Sequence, residues 1–115
     1  MNVITEDKLL EARKRREAIE ANPTFDDLKI LWPSNMRGNV AIARKKWEQI
    51  TGPGLTTKVY DGNANAYEDM FFKATPQEIY MGAKAYLKGF TGEDYKLSQY
   101  AKRLQNFLNG GCWLT

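Results

Sequence analysis

The sequence predicts a mainly α-helical fold: a small single-domain bundle of four to five helices, interrupted by a long irregular loop at residues 52–74. Three observations lead there. Thr75-Pro76-Gln77-Glu78 is a capping box with proline at the first helical position. Leu97, Tyr100, Ala101, Leu104, Phe107 and Leu108 keep the i, i+3, i+4, i+7 spacing of a helix that buries one face. Asn39 can cap "VAIARKKWEQI", in which Val40, Ala43, Trp47 and Ile50 fall on one side.

The elements follow in order. Thr5-Glu6-Asp7 supplies an N-cap and acids for the first turn of a helix that Pro23 stops. Charge pairs at i, i+4 (Glu11–Arg15, Arg13–Glu17, Arg16–Glu20) support it. Its apolar residues are few: Leu9, Leu10, Ala12 and Ile19. Residues 1–22 therefore form a charged helix at the periphery of the domain or on a partner. Thr24 and Asp27 make a variant capping box for a helix that runs to about Trp32, because the residue before Pro33 is pushed out of the helical region. "PSNMRGN" is a loop. The Asn39 helix ends at Gly52-Pro53-Gly54.

Residues 52–66 have no clear period. Thr56–Tyr60 has the composition of a strand, and Asp61-Gly62 could turn a hairpin, but a long loop is the favoured reading. "AYEDMFFKA" then contributes one or two helical turns. The helix after Thr75 carries Ile79, Ala83, Leu87 and Phe90 on one face. Gly82 within it costs about 1 kcal/mol against alanine and permits close packing. The last helix spans 97–108 and ends at Asn109-Gly110-Gly111, where a glycine takes the left-handed cap. The two glycines let Trp113 fold back as a latch on the core. Cys112 reads as a small inert hydrophobe.

Composition excludes several chemistries. There is no histidine and one cysteine, so the commonest general base and metal ligand are missing, and so are thiolate clusters. No phosphate-cradling glycine loop is present. The chain reads as a binding protein, not an enzyme, with no cofactor and no metal. No signal peptide or membrane span is expected, and the single cysteine suits a reducing, intracellular compartment.

The net charge of +3 is unevenly spread. Residues 29–58 carry six basic and one acidic side chain, and residues 59–79 one basic and four acidic. Arg37, Arg44, Lys45, Lys46 and Lys58 are therefore the candidate nucleic-acid contacts, through phosphates, with Trp32 or Tyr60 available to stack on an unpaired base. The blander reading is a solvated helix face. Leu9, Leu10, Arg13, Arg16 and Trp32 are the candidate partner contacts; tryptophan and arginine are enriched at interface hot spots. For "RKRR" at 13–16, a salt-bridged exposed helix is the stronger reading than nucleic-acid contact.

Three segments together carry a family resemblance. They are "FDDLKILWPSNMRGNVAIARKKWEQI", "TPQEIYMGAKAYL" and "YAKRLQNFLNGGCW". The matching residues are Trp32-Pro33, Arg37-Gly38, Ala43 and Trp47, then Tyr100, Leu104, Phe107, Leu108, Asn109 and Trp113. From about residue 25 to 115 the chain resembles the small helical domain of phage and prophage replication-initiation proteins, the replisome organisers that recruit helicases. The resemblance implies a phage origin, the host-cell cytoplasm, and contact with a helicase-like host or phage replication protein, with DNA contact as a contribution. Two other readings stand beside it: a host-takeover protein that inhibits a bacterial enzyme or defence complex by surface binding, and a structural virion component.

Overall fold

Local signals set the helix starts. The computed structural model describes residues 6–114; the Thr5 cap lies outside them. α1 spans Glu6–Ala21 and α2 spans Phe25–Lys29. Thr24 accepts from the Asp27 amide, and the Asp27 carboxylate accepts from the Thr24 amide at 2.8 Å, so the box closes. A 3₁₀ turn at Ser34–Met36 leads to α3, Val40–Thr51, where Asn39 Oδ1 accepts from the Ile42 amide at 3.1 Å. α4 spans Pro76–Lys88 behind the Thr75–Glu78 capping box, and α5 spans Leu104–Asn109.

The helical-bundle expectation is corrected by residues 52–74. They form an antiparallel hairpin, β1 (Leu55–Asp61) and β2 (Ala66–Phe72), so the fold is mixed α and β. Leu55 pairs with Phe72 at the base, and both are buried. From there the register runs outward through Thr57–Met70 and Val59–Glu68 to Asp61–Ala66. "AYEDMFF" is therefore a strand and not helical turns. Its partner lies across the turn, and cross-strand pairing decides the conformation of a segment whose own pattern is ambiguous. Six of the seven β2 residues are exposed, so no alternation of burial betrayed the strand.

The last helix is also shorter than its ladder predicts. Residues 97–103 are irregular because tertiary partners take their backbone groups. The Ser98 amide donates to Phe90 O at 2.8 Å. The Lys102 amide donates to the Tyr86 hydroxyl at 2.8 Å, and Lys102 O accepts from Trp32 Nε1 at 2.9 Å. Tyr100, a rung of the expected ladder, is exposed.

One hydrophobic cluster draws on α2, α3, the base of the hairpin, α4 and α5. Trp32 and Phe107 lie at its centre, their rings 5.0 Å apart. Trp113 closes it as the latch expected, against Phe72 at 5.4 Å and Phe107 at 6.2 Å. Gly111 sits at φ 64, and a β-carbon there would meet the Phe72 ring at 2.5 Å, so glycine is required. The latch has a defect: Trp113 Nε1 is buried without a hydrogen-bond partner. α1 stands apart. It has no buried residue, and it meets the rest through half-buried Ile19 and a Glu20–Lys84 ion pair at 2.9 Å. Of the three i, i+4 pairs expected on it, Glu11–Arg15 closes, at 4.0 Å.

Candidate functional site

α3 and the hairpin divide the predicted basic site into three parts. Arg44 points toward α2. Its guanidinium bonds Asp26 at 3.0 Å and covers the Phe25 ring at 4.7 Å. That hydrogen bond holds the Asp26 carboxyl below its ordinary value, with the charges of Arg44 and Lys29 assisting. Arg37 turns inward, Nε donating to Trp32 O at 3.0 Å. Lys45 is exposed on α3. Lys46 and Lys58 share a neighbourhood.

Lys46 bonds Asn109 at the end of α5, and Lys58 lines a groove in front of it. Lys46 Nζ donates to Asn109 Oδ1 at 2.7 Å, and Thr57 Oγ1 donates to the same oxygen at 2.9 Å. In front of Asn109 is a groove of about 290 Å³, open to solvent, with Lys58 and Tyr60 on its β1 side and Lys102 and Asn106 on the other. No carboxylate lines it. Sequence reasoning missed Lys102, because it sits in the segment read as the start of a long helix. What fixes it is tertiary: the Trp32 indole and the Tyr86 hydroxyl hold its backbone from both sides.

The partner residues also divide. Leu9, Leu10, Arg13 and Arg16 are exposed on α1, with Leu9 at 55% and Leu10 at 48%. Trp32 is fully buried, so it is neither a partner contact nor a base-stacking group. A large aromatic beside proline in a loop looks exposed in sequence; here the core closes over it. Seven of the twelve residues that carry the family resemblance share that fate, while Tyr100 is exposed. Trp32, Ala43, Trp47, Leu104, Phe107, Leu108 and Trp113 are all core, so the motif describes packing more than a site.

A second exposed surface was not foreseen. Tyr60, Tyr67 and Phe71 lie on the face of the hairpin turned away from the core. Among the described residues no cluster of three or more histidine, cysteine or acidic side chains is placed to hold a metal, and no helix is long and apolar enough to cross a membrane. Comparison with family models, curated proteins and solved structures finds no match to this chain.

Proposed function

We propose that this chain is a non-catalytic binding module of the phage replication kind, which lays α1 in a groove of a protein partner. The observation that carries the proposal is α1 itself. It is sixteen residues long and buries none of them. A helix of about that length is marginal in water without tertiary packing. Its exposed Leu9 and Leu10, flanked by Arg13 and Arg16, offer a small apolar spot to a partner groove and charge to orient the helix there. The likeness to replication-initiation domains supplies the choice of partner: a replicative helicase or another replisome protein.

The test is capture from a bacterial lysate with the partner identified by mass spectrometry. The full chain is compared with Leu9→Ser/Leu10→Ser/Arg13→Glu. Recovery of helicase or primase, lost in the triple variant, supports the proposal. Recovery of a nuclease, polymerase or defence protein by the same helix selects the host-takeover reading instead. Equal capture by both chains refutes docking through α1.

A further inference from the structure

β1 alternates in burial. Leu55, Thr57 and Val59 face the protein, and Thr56, Lys58 and Tyr60 face solvent. The register sets Phe71, Asp69 and Tyr67 opposite those three, so six exposed side chains share one face. Phe71 is 62% exposed, Tyr67 69% and Tyr60 52%. Contiguous aromatic surface of this kind marks an interaction site. The rings are also held in place. Tyr60 and Tyr67 meet edge to face at 5.3 Å, and the Tyr60 hydroxyl donates to Asn65 Oδ1. Phe71 lies over Gly54, where φ is 111 and a β-carbon would enter the ring. Side chains ordered before contact lose little entropy when a partner covers them.

Charge selects the partner. Lys58 and Asp69 stand opposite each other in the middle of the face, and no ion pair closes between them among the described residues. A two-fold axis running along the strands, between two such faces, lays β1 of one copy over β2 of the other. Each residue then meets the counterpart of its own cross-strand neighbour. Lys58 meets Asp69 of the second copy, Tyr60 meets Tyr67, and Thr56 meets Phe71. Both charge pairs form at once, which is the self-complementarity an isologous interface needs. Pairing by strand edges fails on the same charges. β2 against β2 about its middle residue sets Asp69 against Asp69, and β1 against β1 sets Lys58 against Lys58. The area also fits. A fully covered aromatic side chain buries about 150–250 Å², so at their exposures the three rings offer about 350 Å². Thr56, Lys58 and Asp69 raise this to about 500–600 Å² per copy, at the low end for a specific interface.

We propose that this face joins two copies of the chain into a weak symmetric dimer. The hairpins pack face to face, and the Lys58–Asp69 contacts are exchanged across the two-fold axis. No residue of α1 takes part, so the dimer stands or falls separately from docking through that helix.

Sedimentation equilibrium on the full chain tests it. The average mass is expected to rise from one chain toward two, with a Kd of about 10–100 µM. Lys58→Asp and Asp69→Lys each set like charges across both contacts and weaken association by about tenfold. Mixed in equal amounts, those two variants associate as the unaltered chain does, because each opposes the other's charge at both contacts. This rescue is the decisive arm, since a variant that had merely lost its hairpin could not show it. Tyr67→Ser weakens association by about tenfold, and Leu9→Ser/Leu10→Ser leaves it unchanged. Asp69→Asn separates face from edge. It weakens the face-to-face dimer by about threefold, whereas it would tighten a dimer paired through β2 edges. Five results overturn the proposal: a chain still monomeric at about 500 µM, a Kd indifferent to Lys58→Asp and Tyr67→Ser, a mixture that associates no better than its components, a tighter dimer from Asp69→Asn, or a dimer lost in Leu9→Ser/Leu10→Ser.

Discussion

Gly82→Ala asks whether the chain end is seated where the structure places it. On an exposed helix this change stabilises by about 0.5–1 kcal/mol, through backbone entropy. At Gly82 a β-carbon would lie 2.6 Å from Trp113 O, 2.7 Å from its Cβ and 2.8 Å from its Cα. Two of those atoms are backbone, so rotation of a side chain cannot relieve the overlap. Overpacking of this kind costs about 1–3 kcal/mol. The net expectation is a loss of about 1–2 kcal/mol, which lowers Tm by roughly 4–8 °C for a chain of this size. The sharper assay is a cycle of urea melts on four proteins: the unaltered chain, Gly82→Ala, a chain ending at Cys112, and the combination. Ending at Cys112 removes a buried tryptophan and costs about 3–5 kcal/mol. Against that background the three atoms nearest the added carbon are gone, and its effect reverses to a gain of up to about 1 kcal/mol. The coupling across the cycle is then about 2–3 kcal/mol. A gain in stability from Gly82→Ala in the full chain, or the same cost in both backgrounds, refutes the seat of Trp113 on α4.

Two further outcomes are expected. Asp26 has a folded pKa below its ordinary value of 3.8, held there first by the Arg44 hydrogen bond. Its contribution to stability is complete above that ordinary value and is lost as pH falls through the lowered one. Arg44→Gln should move the Asp26 midpoint, read from its carboxyl resonance by NMR, back toward 3.8; an unmoved midpoint contradicts the pairing. The two central tryptophans should respond differently to phenylalanine. Trp32→Phe deprives Lys102 O of its donor and costs about 1–3 kcal/mol beyond the lost volume, whereas Trp113→Phe removes an indole nitrogen that has no partner. Denaturant melts in which Trp113→Phe proves the costlier of the two would contradict this assignment.

How much was legible depends on the range of the interaction. Thr24, Asn39 and Thr75 announce their helices because each cap is bonded within three residues of itself. Gly82 was readable as a close-packing position, but not what it packs against. The hairpin was half visible: Thr56–Tyr60 had strand composition, yet β2 shows no alternation, because beyond Phe72 both of its faces meet solvent. The regular ladder from Leu97 to Leu108 misled. Residues at helical spacing will still unwind when Phe90, Tyr86 and Trp32 offer their backbone groups better partners.

The same division governs the site. The sequence by itself determined the cationic excess of residues 29–58, the charged and thinly apolar character of α1, and the absence of histidine from any chemistry. Those are properties of composition and of neighbours along the chain. Only the tertiary structure decided that Arg44 is committed to Asp26, that Trp32 is core, and that Lys58, Lys102 and Asn109 line one groove. Charge is carried by residues, but a groove is made by the packing of elements far apart in sequence. Here that packing is set by the indole of Trp32 bonding a carbonyl seventy residues away.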